Sequence, residues 1–179
     1  VAWHPLVWII TALAIGFVTL AANNDTPDRS REVVETLVRL NMFIPVFILP
    51  FIAGSIAPIF FLRETDHGLQ GLFAAYPQTP REWLKIRLST FALMLILICL
   101  LLQLSIAGPI ALRHLDQIVA IVTHSAKLAV VIHIPACLTW ACALARISCT
   151  TGKSGFVYLA AGFGWLAYVA LATLTGAPL

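Results

Sequence analysis

Residues 63–87 read RETDHGLQGLFAAYPQTPREWLKIR, a polar stretch between two long apolar runs. It holds Arg63, Arg81, Lys85 and Arg87, four of the eleven basic residues in the chain. Leu69, Leu72, Phe73 and Tyr76 fall at i, i+3, i+4 and i+7, which is one apolar stripe along a short helix. Thr79-Pro80-Arg81-Glu82 has the form of a capping box. Thr79 takes the N-cap, Pro80 the first helical position, and Glu82 stands three residues after the cap. The spacing therefore predicts a short amphipathic helix ending near Tyr76-Pro77, and a second helix that starts at Pro80 and enters the next apolar run. An ordinary loop between two spans is the alternative reading of the same residues.

The composition on either side sets the class. Of 179 residues, 60% are hydrophobic and only 11% charged, with a mean hydropathy of +0.95. Soluble domains carry about a quarter charged residues. The sequence therefore predicts an all-α, polytopic integral membrane protein, a single transmembrane domain over residues 1–179. Five spans are expected at about 6–22, 40–62, 88–107, 128–145 and 155–174, with the 63–87 segment between the second and third. The net charge of +3 is ordinary and implies no nucleic-acid partner. Cys99, Cys137, Cys142 and Cys149 lie in or beside apolar runs without CxxC spacing, which fits buried thiols better than a disulfide framework.

Each span has its own irregularity. Residues 23–39 form a polar connector whose second half, from Ser30 to Leu40, has the character of a short surface helix. The second run, 40–62, is interrupted by Pro45, Pro50 and Pro58, with Gly54 and Ser55 between them. Prolines in a span leave backbone carbonyls for neighbouring helices or waters to satisfy. The third run is the most uniformly apolar, with Gln103 its one strongly polar member, and Gly108-Pro109 leads to Arg113, His114 and Asp116. Residues 118–145 contain His124, Lys127 and His133. A lysine at a span centre costs a few kcal/mol, so residues 114–127 are read as a helix at the interface and 128–145 as the span. The last run carries Ala160 and Gly164 at a four-residue spacing, small enough for close approach of another helix or of a second copy.

The basic residues set the orientation. With 63–87 and 146–153 in the cytosol, Arg63, Arg81, Lys85, Arg87, Arg146 and Lys153 lie inside, and Arg29, Arg31, Arg39, Arg113 and Lys127 outside.

Several motifs fail on inspection. Gly152-Lys153-Ser154 ends like a phosphate-binding loop, but position 147 is Ile147 where a glycine is required. There is no HExxH, and no nucleophile–base or metal constellation that would point to an enzyme. His114, His124 and His133 raise the possibility of haem ligation, as in a membrane anchor of a larger complex. All three lie within one segment, whereas a haem draws ligands from different spans at one depth. Structural or interfacial roles are the expectation, and no metal or cofactor site is assigned. A membrane anchor or assembly subunit, with or without haem, stays open as the alternative function.

At Arg63-Glu64, Gly68, the Leu69–Tyr76 helix, Pro77 with Thr79, and Lys85 or Arg87, the sequence resembles the membrane subunits of ATP-binding-cassette exporters of the second type. The resemblance is close over these 25 or so residues and loose elsewhere. It implies a permease subunit with no nucleotide site of its own, ATP and Mg being held by a separate ATPase chain. It further implies alternating access, a substrate path shared with a second copy or a related permease, and residence in a bacterial plasma membrane. The coupling contact with the ATPase would comprise Glu64, Gly68, Leu69, Leu72, Phe73, Tyr76, Pro77 and Arg81. The family usually has six spans and a cytosolic helix before the first, so a sixth span is expected in the full chain. Leu69-Gln70 departs from the Leu-Glu pair common at the start of the coupling helix.

Overall fold

The computed structural model describes residues 5–24, 30–62, 80–151 and 153–174. Throughout these the chain is helical or turns tightly between helices. Helix α1 spans Pro5–Asn24. Helix α2, Ser30–Phe43, passes through a π-helical turn at Ile44–Ile48 into α3, Leu49–Phe61. Helix α4 is Pro80–Arg113. After a 3₁₀ turn at Leu115–Gln117, α5, Ile118–Leu128, passes through a second π turn at Ala129–His133 into α6, Ile134–Thr151. Helix α7 is Ser154–Leu174.

Three of these continuous helices, Val33–Phe61, Arg81–Arg113 and Leu115–Thr150, are long and apolar enough to cross a membrane. The expected surface helix at 30–40 and the second span are thus one rod. Gly108-Pro109, read as a connector, lies inside α4, which continues to Arg113. The expected division at Lys127 is likewise bridged by continuous helix. Breaking a helix in apolar surroundings strands its N–H and C=O groups, so a proline is accommodated by a kink before the helix is abandoned. The 36 residues of Leu115–Thr150 would rise about 54 Å, well beyond the roughly 30 Å of a hydrocarbon core. The His114–Lys127 end therefore has room to reach the interface without a break in the helix.

Both π turns have the same local cause. Each ends at a residue directly before a proline, Leu49-Pro50 and Ile134-Pro135, and in each the closing N–H reaches back five residues, from Leu49 to the Ile44 carbonyl and from Ile134 to the Ala129 carbonyl. A proline ring collides with the carbonyl four residues earlier. Inserting one extra residue into the turn relieves the crowding at the expense of a bend.

Packing follows the 3.6-residue period. Phe91, Leu95, Ile98, Leu102 and Ile106 form the buried face of α4, while Leu93, Leu97, Leu100 and Leu104 point outward. The buried face meets Ile52, Ile56 and Phe60 of α3 in one core. Helix α1 lies against α4, and α7 lies against α3 and α6. The outer surface is unusually apolar, with Leu13 on α1, Phe51 on α3, Leu112 on α4, Val119 and Val131 along the α5–α6 rod, and Phe163 on α7 all exposed. The polar side chains Asn41, Gln103, His133 and Ser148 are buried. Water does not favour that inversion, whereas a bilayer does. Hydroxyls on the rods fold back on the preceding turn, as Ser105 does to Leu101, Thr123 to Val119 and Ser148 to Leu144. Each is thereby satisfied without water.

Candidate functional site

Most of the expected coupling contact lies outside the described residues: Glu64, Gly68, Leu69, Leu72, Phe73, Tyr76 and Pro77 all do. The N-cap expected at Thr79 does too. What is described is the stem on which that segment stands. Helix α4 starts at Pro80, where the capping box places it, with Glu82 in its first turn. Arg81 is exposed there. One turn and a half later, the Arg87 guanidinium donates through Nη1 to the Phe60 carbonyl in the last turn of α3. The same guanidinium lies over the Trp83 ring at 4.4 Å. The final carbonyls of a helix have no intrahelical donor and carry the negative end of its dipole, so a cation is favoured there. Below this contact Phe91 packs against Phe60 and Phe61, with centroids 5.2 and 5.4 Å apart. The two helices that bracket 63–79 are thus joined at its base by a capping cation and an aromatic cluster.

A second arrangement lies deeper, between the two π turns. Pro45 has no N–H, so the Asn41 carbonyl loses the donor that a regular helix would supply four residues on. His133, on the other π turn, takes that place: its Nε2 lies 3.1 Å from the Asn41 carbonyl oxygen. A carbonyl only accepts, so Nε2 carries the hydrogen and donates. The Asn41 side chain turns back, its Nδ2 donating to the Leu37 carbonyl at 2.8 Å. One level away Gln103 of α4 donates through Nε2 to the Ser125 carbonyl of α5. Cys99 of α4 and Cys137 of α6 face each other with their sulfurs 3.4 Å apart. Three of the long helical rods are therefore joined by polar or thiol contacts at their buried faces.

His133, expected in a structural or interfacial role, is buried and has a partner on another helix. The signal was present in the Asn41–Pro45 spacing, which announces an orphaned carbonyl, but it does not say which residue answers. His124 is satisfied locally, its Nδ1 lying 2.9 Å from the Ala120 carbonyl of its own helix. Among the described residues no group of three or more His, Cys, Asp or Glu is placed to hold a metal ion.

The small-residue face of α7 packs within the chain. A Cβ on Gly164 would sit 2.9 Å from Cη2 of Trp140 on α6. Ala160 is half-buried, and its neighbour Ala161 faces Gly54 of α3 so closely that a Cβ on Gly54 would overlap the Ala161 methyl. Beside this contact a cleft of about 490 Å³ opens outward between α3 and α7, lined by Phe47, Pro50, Phe51, Ser55, Tyr158 and Gly162 among others. Comparison with family models, with curated proteins and with solved structures returns no match for this chain.

Proposed function

We propose that the chain is a polytopic protein of a bacterial plasma membrane, with α1, the α2–α3 rod, α4, the α5–α6 rod and α7 as five spans. In this reading it is the permease subunit of an ATP-driven exporter of the second ATP-binding-cassette type. The ATPase is a separate polypeptide that holds ATP and Mg, and it presses on the 63–79 segment through Glu64, the Leu69–Tyr76 stripe and Arg81. The observation that carries the reading is the clamp at the base of that segment. Because Arg87 caps α3 from α4, a push on 63–79 is delivered to both helices together and not absorbed at a loose hinge. The two proline-induced π turns offer bends at which such a push becomes a tilt of the spans, a hinge motion of the kind used for alternating access. The substrate path then lies between this chain and a second copy or related permease.

The test is purification of the intact protein in mild detergent, beside Glu64→Arg and Arg81→Glu. Recovery of an ATPase with the parent protein, lost in either variant, is the expected result. Recovery of redox subunits, or of no ATPase, overturns the proposal and favours a membrane anchor.

A further inference from the structure

We infer that Asn41 and His133 form a buried binding site for a small hydrogen-bond donor, a water molecule or a proton, set between the two π turns. This site is independent of the exporter reading. Asn41 and His133 are 0% and 1% exposed. The Asn41 amide has one possible orientation, since Nδ2 faces the Leu37 carbonyl and two oxygens would repel there. Its Oδ1 is therefore an acceptor, and it is buried with no protein partner. The His133 ring likewise has one neutral tautomer, because Nε2 must donate to the Asn41 carbonyl. Its Nδ1 is then a lone pair, also buried and without a protein partner.

Two acceptors cannot satisfy each other. Leaving a buried acceptor unpaired costs about 1–3 kcal/mol, so a donor to each of them is favoured. The described titratable groups on the elements around His133 do not supply it. Glu35 and Arg39 on α2 and Lys127 on α5 are exposed, and His124 is bonded within its own helix. The thiols Cys99 and Cys137 face each other. The charged residues of α4, Arg81, Glu82, Lys85, Arg87 and Arg113, stand toward its two ends. A water gives one hydrogen to each acceptor. A proton on Nδ1 turns that acceptor into a donor.

The test is ¹⁵N-histidine NMR of the whole protein in lipid nanodiscs, with the His133 signals assigned by removing His4, His67, His114 and His124 one at a time. The expected result is a protonated Nε2 together with an Nδ1 that is either shifted as a bonded acceptor, with magnetisation transfer from water, or itself protonated. The first outcome identifies water and the second a proton. Asn41→Leu removes Oδ1 but keeps the backbone carbonyl, so it should abolish the water transfer while Nε2 stays protonated. A free lone-pair signal at Nδ1 with no transfer from water, or a ring unprotonated at Nε2, overturns the proposal.

Discussion

His133 bonds to a carbonyl that is free only because residue 45 is a proline, and the two effects should be separable by mutation. His133→Leu leaves the Asn41 carbonyl buried without a donor, which should cost about 1–3 kcal/mol, read as a lower midpoint of unfolding in detergent. Pro45→Ala restores an N–H within reach of the same carbonyl. In that background the His133→Leu penalty should shrink by about 1 kcal/mol, a coupling that a double-mutant cycle measures directly. Strict additivity of the two changes would contradict the assigned bond. Gly54 poses a simpler steric question. Gly54→Ala drives a methyl into Ala161, and overpacking of this kind costs about 1–3 kcal/mol. Ala161→Gly in the same chain should recover most of the loss. Rescue failing in that pair would mean that α3 and α7 do not meet there.

At the level of elements, the register of α4 against α6 is read out by two native thiols. Cys99 and Cys137 need to close from 3.4 Å to the roughly 2 Å of a disulfide. A lipid-soluble two-electron oxidant should therefore join them, releasing both thiol protons and blocking two alkylation sites in denatured protein. Cys99→Ala or Cys137→Ala should leave the remaining thiol alkylatable. Cys142 and Cys149 lie exposed on α6 and should react under conditions where the buried pair does not. An unchanged alkylation count after oxidation would place α4 and α6 out of register. Element type and starting points were largely legible beforehand. Pro80 opens α4 because its missing N–H is no loss in the first turn, and the other long apolar runs become helices because a helix satisfies their backbone from within. The extent of the helices was less legible. Pro109 and Lys127 carry local signals for a break, yet in an apolar setting a kinked helix retains more hydrogen bonds than an interruption.

For the whole molecule the testable quantity is which ends share a side of the membrane. On the proposed topology, in a background without native cysteines, Arg81→Cys and Lys153→Cys should react with an impermeant maleimide from the cytosolic face, and Arg113→Cys from the opposite face. Arg81 and Arg113 stand at the two ends of one 34-residue helix, so labelling of both from one side would show that α4 does not cross. The coupling role proposed for 63–79 depends on partners for its test. That reading comes from a contiguous run of residues, whereas the contact of Arg87 with the Phe60 carbonyl is one that no run of neighbouring residues could announce.

The chain by itself determined that it is helical, that long apolar stretches alternate with short polar ones, and that α4 begins at Pro80. Those outcomes follow from local causes: hydrogen bonding within one segment, proline geometry, and the cost of polar backbone in an apolar medium. Only the tertiary structure decided that His133 meets Asn41, 92 residues away, that Gln103 meets Ser125, and that the small face of α7 is covered by α3 and α6. Periodicity shows which face of a helix is turned inward, but the partner and its depth are chosen by how the rods pack. In an apolar interior a polar atom left unpaired is costly. Where the rods bend and free a carbonyl, the packing that brings a donor to it is favoured.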